Sequence, residues 1–156
     1  MSKKLLIDAI GFLLIALVVV IGYKLSPILL PKADVSVFPD ASCDLQREAC
    51  SVALPGGGRV ELSMATRPIP MVKPFQVEVK VTGAEAKQVE VDFTGIDMNI
   101  GLNRPVLRKR PDGVYAAEVT LPVCITGLMD WQVTVLLEIG SQQFAIPYRF
   151  SSGRHD

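Results

Sequence analysis

The three cysteines of this chain are its residues with the most evident potential for chemistry. Cys43 and Cys50 are seven positions apart, which on a helix separates them by about 10.5 Å, too far for a disulfide. In a hairpin-like loop the same spacing permits the Cα separation of about 5.5 Å that a disulfide needs. Because disulfides persist outside the cytoplasm, we expect a Cys43–Cys50 bond if this part of the chain lies there.

Cys124 is the third cysteine, and it leaves the pairing open. Three pairings are possible, and each leaves one free thiol. The alternative for Cys124 is a purely structural role, as a small apolar residue buried in the core. Thioredoxin-type exchange has little support, because the sequence has no Cys-x-x-Cys motif and only Arg47 lies between Cys43 and Cys50 as a positive charge.

Sulfur also suits a soft metal ion. Cu(I) prefers thiolate and thioether ligands, so the three cysteines with Met98 and Met129 form a candidate copper(I) site. Met129 is close to Cys124 in one inter-strand connection and Met98 follows the strand ending near Phe93, so both methionines are expected at one end of the fold. For each methionine taken singly, core packing is the competing interpretation. The other thioethers considered are Met64 and Met71.

Catalytic chemistry has little support in the sequence, and we expect a protein that is not an enzyme. The lone histidine is His155, one residue from the C-terminus, and there is no Gly-x-Ser-x-Gly motif. Glu90 and Asp92 are a carboxylate pair on what should be the solvent face of a strand. Lys plus Arg and Asp plus Glu are 16 each, so no basic surplus predicts a nucleic-acid partner.

The first residues of the chain predict a membrane-spanning helix. This helix would determine on which side of the membrane the cysteines lie. Residues 5–23 are apolar apart from one aspartate and would reach about 28 Å as a helix, close to the thickness of a hydrocarbon core. The competing interpretation is a signal peptide, but no Ala-x-Ala-like cleavage site follows. We therefore expect a single-pass anchor over residues 5–23 with residues 1–4 in the cytoplasm. Pro27 and Pro31 should end the helix and stiffen a linker over residues 24–34.

The rest of the chain predicts β-structure. Six runs alternate apolar and polar residues with period two, which places each apolar set on one face of a strand. Gly- and Pro-rich turn signals separate the runs. With weaker strands near 35–38 and 106–109, the pattern predicts an all-β, immunoglobulin-like antiparallel β-sandwich of about seven strands. The inward sets are Val60, Leu62 and Met64; Phe75, Val77, Val79 and Val81; Val89, Val91 and Phe93; Tyr115, Ala117, Val119 and Leu121; Trp131, Val133, Val135, Leu137 and Ile139; and Phe144, Ile146, Tyr148 and Phe150.

The predicted sandwich covers residues 35–151 and lies outside the cytoplasm, and residues 152–156 are predicted to be a disordered tail. Pro147 falls inside the last run. Because proline cannot donate to a sheet ladder, this strand should be at an edge or be interrupted.

Residues 89–150 resemble the FixH and YtkA-like proteins, a family of small bacterial membrane-anchored sandwiches. The matching pieces are the methionine-containing turn 97–101, Gly113-Val114-Tyr115, Leu121-Pro122 and Trp131-Gln132-Val133-Thr134-Val135. The resemblance implies a periplasmic domain on the inner membrane and a role in respiratory oxidase maturation and copper handling. In one departure from the family pattern, no histidine lies near Met98.

Three hypotheses follow. The first is a periplasmic accessory protein that assists the assembly or copper(I) loading of a respiratory oxidase, its partner being a membrane protein or a subunit of that complex. The second is a metal-free protein-binding module in which Cys43–Cys50 is structural. The third is a thiol–disulfide oxidoreductase.

Overall fold

The computed structural model describes residues 3–29, 34–98, 100–122 and 127–153. The chain divides into an N-terminal unit, Met1–Lys32, and a C-terminal unit, Ala33–Asp156. Each unit is built from a different sequence pattern, a continuous apolar run in the first and period-two alternation in the second.

The N-terminal unit is a helix, α1 (Lys3–Leu29), whose described large apolar side chains, between Leu5 and Tyr23, are exposed. Its stretch Lys3–Lys24 is long and apolar enough to cross a membrane, a test of length and composition that signal sequences near an N-terminus also pass. The helix α1 runs past Pro27 to Leu29, between the two prolines predicted to end it, and so includes residues 24–29 of the predicted linker. Proline costs one helical hydrogen bond but its φ is compatible with a helix, so a final turn can persist. Residues 30–33 of the predicted linker, like residues 1–2, lie outside the described ranges.

The C-terminal unit contains nine strands within the described residues. They are β1 (Val35–Ser36), β2 (Cys50–Ala53), β3 (Arg59–Met64), β4 (Phe75–Thr82), β5 (Ala86–Gly95), β6 (Arg108–Lys109), β7 (Tyr115–Val119), β8 (Leu128–Ile139) and β9 (Gln142–Gly153). All six alternating runs contain strands, and each of the two weaker candidates contains a strand of two residues, β1 and β6. The strand that sequence reasoning missed is β2, which is too short to show an alternating pattern.

The strands form two sheets. Sheet I has the order β1-β9-β8-β5, and sheet II has the order β2-β3-β4-β7-β6. Neighbouring strands are antiparallel except β1, which runs parallel to β9 in a departure from the all-antiparallel prediction. The longest pairing joins β8 and β9 through a tight turn at Gly140, whose φ of 62° suits the first position of a type II′ hairpin turn.

The two sheets face each other across one hydrophobic core. The rings of Phe75 in sheet II and Phe93 in sheet I meet edge to face with centroids 6.5 Å apart. The Tyr115 hydroxyl in sheet II donates a 2.8 Å hydrogen bond to the carbonyl of Ala86 in sheet I. The predicted inward sets supply most of this core, which confirms a mostly-β domain of two sheets with an apolar N-terminal helix.

One segment passes from one sheet to the other between β5 and β7. Within residues 103–107, the Pro105 carbonyl accepts from the Val91 amide at 3.2 Å, and the Leu107 amide donates to the Val89 carbonyl at 2.8 Å. From the next residue, Arg108, the same chain forms β6 and pairs with β7 in sheet II. This crossing segment therefore covers the edge of β5 and closes one side of the domain.

The end of the domain extends further than predicted. Ser152 is buried in β9, and its hydroxyl donates a 2.8 Å hydrogen bond to the Ile69 carbonyl, so the assignment of residues 152 and 153 to a disordered tail is wrong. Residues 154–156, including His155, lie outside the described ranges. The prediction that the strand containing Pro147 is at an edge or interrupted is wrong, since β9 is continuous and lies between β1 and β8. Because β1 pairs only with Phe144 and Ala145, Pro147 lies beyond that pairing.

Candidate functional site

Cys43 and Cys50 form a disulfide with a Cα–Cα distance of 5.8 Å. Cys50 is the first residue of β2, and Cys43 lies in the irregular chain that precedes it. The predicted pairing is therefore present, in the loop geometry that the spacing required. Cys124 lies outside the described residues.

The disulfide loop, residues 43–50, is fastened to the domain between its two cysteines. The Leu45 side chain is fully buried, and the Leu45 carbonyl accepts a 3.2 Å hydrogen bond from Arg67. The side-chain amide of Gln46 makes two hydrogen bonds. Its oxygen accepts from the Ile69 main-chain N–H at 2.8 Å, and its nitrogen donates to the Ser151 carbonyl at 2.6 Å. Through these contacts the loop ties the β3–β4 connection to the end of β9.

Met98 and Met129 lie against the same glycine. A Cβ added at Gly95 would come within 3.0 Å of both Cε of Met129 and the main-chain oxygen of Met98. Met129 is buried, whereas Met98 is 42% exposed. Met64 is buried and Met71 packs against the core, as the packing interpretation expects. The two methionines thus share one end of the domain, with one thioether side chain partly open to solvent.

The described residues do not assemble the sulfur atoms into a metal site in this oxidised form. The Cys43 and Cys50 sulfurs are bonded to each other, so neither is a thiolate, the form that binds metal. No group of three or more His, Cys, Asp or Glu side chains that could hold a metal is found among the described residues. Copper(I) binding by Cys43, Cys50, Cys124, Met98 and Met129 stays a prediction.

Glu90 and Asp92 lie on the outer side of β5 but are half-buried rather than freely solvated. The crossing segment explains the difference, because its Arg104 side chain lies over β5 and forms an ion pair of 2.5 Å with Glu90. Burial raises the pKa of Asp92, while the nearby charge of Arg104 lowers it and that of Glu90 raises it further. This cluster is a charge pair plus one desolvated carboxylate.

The outer side of sheet I carries exposed large apolar side chains. Val106 pairs directly with the outward residue Glu90, and Leu128 alternates with the buried Met129. Phe38 follows Val37, which packs on the core, so Phe38 lies on the outer side by alternation and is 75% exposed.

Two further apolar residues continue this surface at the end of β5. Ile96 donates its amide to the Asp130 carbonyl and is exposed. Leu102 precedes the crossing segment and is 86% exposed. We call the outer surface of sheet I with these flanking residues the sheet I face. Its central outward positions are small or uncharged, namely Thr134, Leu136, Ala145 and Pro147.

The outer side of sheet II has a different character. Glu61 and Lys80 are directly opposite each other in the register, and Arg110 pairs with Glu78 at 2.9 Å. The remaining large exposed apolar residues of the described C-terminal unit, Val72 and Met98, lie in loops rather than on this sheet. Charged cross-strand pairs are typical of a solvated sheet surface. The two outer surfaces of the domain are therefore chemically unequal.

Shallow grooves border the sheet I face. One of about 410 Å³ lies at the disulfide end, between Ala41–Asp44 and the ends of β8 and β9. A second, of about 330 Å³, is lined by residues 94–98, 100 and 101, and the two grooves share Ile96. A groove of about 840 Å³ near the β8–β9 turn is lined by Lys87, Lys109 and Tyr115 and contacts Val106. These grooves are open, which suits contact with a macromolecule more than enclosure of a small molecule.

Sequence reasoning missed the sheet I face. Its most exposed apolar residues lie just after β1, in the crossing segment and in loops, where runs are too short for an alternating pattern. The available signal was isolated apolar residues among polar ones, as at Phe38 and Leu102, but single exposed apolar residues are common on proteins. Their grouping depends on strand pairings between distant parts of the chain.

Comparison of the chain with family models, with curated proteins and with solved structures finds no match. The resemblance to the FixH and YtkA-like proteins is therefore neither strengthened nor weakened, and what it implies stays an expectation.

Proposed function

We propose that this protein is a non-enzymatic, membrane-anchored binding module whose C-terminal domain binds protein through the sheet I face. The observation that carries the proposal is the inequality of the two outer sheet surfaces. Exposed apolar groups cluster on and beside sheet I, which also carries the ion pairs Arg104–Glu90 and Lys87–Glu138, whereas no large exposed apolar residue of the described chain lies on the outer side of sheet II. An apolar patch rimmed by polar residues marks an interaction surface, because exposing it to water costs free energy that a partner recovers.

The anchor and the disulfide support the setting of this module. Helix α1 has the length and composition of a membrane span, and the Cys43–Cys50 bond is of a kind that persists outside the cytoplasm. We therefore propose a single-pass protein of the bacterial inner membrane, with its N-terminus in the cytoplasm and the β-domain in the periplasm.

The strand order supports an immunoglobulin-like sandwich for that domain. The succession β3-β4-β7-β6 in one sheet and β5-β8-β9 in the other corresponds to the ABED and CFG sheets of the constant-type immunoglobulin fold. Strands β1 and β2 precede this set as additions. Many unrelated binding domains share this architecture, so it suits a binding module without naming the partner.

Site-specific photo-crosslinking in intact membranes of the producing cells tests the proposal. Full-length variants carry p-benzoylphenylalanine at position 106 on the sheet I face or, as the control, at position 80 on the outer side of sheet II. We expect an adduct of reproducible mass from position 106 and none from position 80. Equal yields from both positions, or no adduct from either, would overturn the proposal.

Copper handling for a respiratory oxidase is the second candidate, favoured by the placement of the Met129 side chain and the Met98 main chain against one glycine. In the oxidised protein the described residues offer only thioether sulfur there, so thiolate ligation requires reduction of Cys43–Cys50. Titrating reduced full-length protein with Cu(I) against a competing chelator tests this, with Met98→Leu as the matched variant. Affinity weaker than micromolar, or no effect of Met98→Leu, would dismiss these ligands. The oxidoreductase alternative stays a prediction.

A further inference from the structure

The ion pairs of the sheet I face lie toward the β8–β9 turn. Lys87 pairs with Glu138 at 3.4 Å, and Arg104 of the crossing segment pairs with Glu90. The four charges cancel within these two pairs, so this part of the face offers no net charge to a partner.

The opposite part of the face lies at the disulfide end of the domain. We call this part, residues 92–97, 128–132 and 149–151, the disulfide half. It borders the two smaller grooves, which share Ile96. The side chains of Ile96 and Leu128 are large, apolar and exposed here. The disulfide half therefore offers apolar contact surface next to open grooves.

The disulfide half also carries a surplus of negative charge. Asp97 and Asp130 are exposed, and neither forms an ion pair within the described part of the chain. Asp92 is half-buried and attracted by Arg104, but that arginine is already paired with a different carboxylate. Arg149 is the only cation of the disulfide half, so its carboxylates outnumber its cations by three to one.

The carboxylate of Asp130 is held in position by its neighbours. The Ser151 hydroxyl donates a hydrogen bond to this carboxylate, and the Asp130 carbonyl accepts from the Ile96 N–H at 2.9 Å. A hydroxyl donor orients a carboxylate without removing its charge. Because the group is already ordered, pairing it with a cation costs less side-chain entropy than pairing a mobile one.

The outer side of sheet II has no such surplus among the described residues. The charged residues that lie on its strands, or that pair with residues on them, are balanced at four carboxylates and four cations. They are Glu61, Glu78, Asp112 and Glu118 against Arg59, Lys80, Arg108 and Arg110. The negative surplus thus belongs to the same surface of the domain as the exposed apolar groups.

This combination selects the kind of partner. A face that binds anionic lipid would carry a surplus of Lys and Arg, the reverse of what is found here. An acidic protein surface would be repelled, and a second copy of this chain would bring the same surplus of carboxylates. A protein surface on which Lys or Arg surrounds apolar side chains complements both the charge and the apolar groups of the disulfide half.

We infer that the partner of the sheet I face is a protein with a basic contact surface, whose Lys or Arg side chains pair with Asp97 and Asp130 while its apolar side chains cover Ile96. This inference rests on the proposed binding function and names the chemistry of the partner. Because complementary exposed charges act over long range and are screened by salt, the interaction should weaken as salt is added.

Photo-crosslinking with charge variants tests the inference in intact membranes of the producing cells. Full-length protein carries p-benzoylphenylalanine in place of Leu102, which is 86% exposed beside the disulfide half. Neutralising two carboxylates in the same chain, Asp97→Asn with Asp130→Asn, should lower the yield of the protein adduct at least about threefold, because two attractive charges are lost. Adding about 0.5 M sodium chloride should lower the yield from the chain with both carboxylates as well.

The matched control removes two negative charges from the outer side of sheet II, as Glu61→Gln with Glu118→Gln, and should leave the yield unchanged. Circular dichroism of the purified proteins checks that each variant is folded. Asp97→Asn alone, at an exposed loop position, serves if the double variant does not fold. Mass spectrometry of the adduct sequences the crosslinked peptide of the partner, which should contain more Lys and Arg than Asp and Glu.

The outcomes separate this inference from the function it rests on. A yield that neither salt nor loss of the carboxylates lowers, an acidic partner peptide, or an adduct at position 102 only to lipid or to a second copy would overturn the basic partner. So would an adduct from position 106 without one from position 102. Each of these results leaves the binding module intact as long as position 106 gives a protein adduct, whereas no adduct from either position would reject both.

Discussion

The side-chain oxygen of Gln46 accepts a 2.8 Å hydrogen bond from the main-chain N–H of Ile69, which is 23 residues away in sequence. Ile69 is buried, so its amide has no easy access to water as an alternative partner. A side chain of the disulfide loop therefore completes the hydrogen bonding of another loop, and this relationship sets the first prediction.

Gln46→Leu should destabilise the domain by about 1–3 kcal/mol, because the Ile69 donor would be left buried and unsatisfied. Chemical denaturation of the full-length protein followed by tryptophan fluorescence measures the change. Arg47→Ala is the neighbouring control, since Arg47 is exposed and pairs loosely with Asp44 at 3.8 Å. Equal stabilities of the two variants would show that Gln46 does not hold the loop.

Loss of the disulfide should destabilise the domain by about 2.5 kcal/mol, the chain-entropy value for a closed loop of this length. The paired variant Cys43→Ser with Cys50→Ser measures this in denaturant, and a reducing agent applied to the unmodified protein should give a similar shift. Cys124→Ser, which keeps the bond, is the control. If reductant leaves the denaturation midpoint unchanged, the loop is held by Leu45 and Gln46 without help from the bond.

Asp92→Asn should be more stable than the unmodified protein at neutral pH. Burial raises the folded-state pKa of Asp92 above its usual 3.8, so the folded state binds this proton more tightly than the unfolded state. In the unmodified protein, the stabilisation linked to this proton is lost as the pH rises from the unfolded-state pKa of 3.8 through the higher folded-state pKa. In the variant, asparagine is neutral at every pH, so this loss does not occur.

The gain at pH 7 should be below about 1 kcal/mol, because the carboxylate is only half-buried and solvent still screens it, and it should vanish near pH 3. Denaturation of both proteins across this range tests the prediction, with Glu118→Gln on sheet II as the control for losing a negative charge. An unmodified protein that is the more stable at pH 7 would mean that attraction to Arg104 exceeds the cost of burial.

Gly95→Ala should be markedly destabilising, by about 1–3 kcal/mol, since the added methyl group would overlap the Met129 side chain and the Met98 carbonyl. The adjacent Thr94→Ala, at an exposed position, is the control. Thermal unfolding compares the two variants, and a tolerated Gly95→Ala would mean that the end of β5 relaxes away from Met129.

Sequence alone could predict the features that depend on local spacing. Alternation at residues such as Val89, Val91 and Phe93 identified the core side of the strands, because a half-buried strand must hide every second residue. The Cys43–Cys50 pairing followed from a spacing that only a loop can accommodate. Both features require knowledge of no more than about ten neighbouring residues.

Sequence could not predict the features that depend on distant pairings. The half-burial of Glu90 requires Arg104 to arrive from the crossing segment, and the Gln46–Ile69 bond joins two loops without a repeating pattern. Likewise, Phe38 and Val106 come together on one face only after β1 and the crossing segment join opposite edges of sheet I. Local periodicity carries no information about these contacts between distant parts of the chain.

The crossing segment has a consequence for how copies behave when crowded. The lateral borders of both sheets are occupied by very short pieces of strand: β1 and β6 contain two residues each, β2 contains four, and residues 103–107 cover β5. Long unpaired borders invite the strand-to-strand stacking that leads to aggregation. Because its edge strands are short or covered, this domain should resist growth into fibrils even at high local concentration.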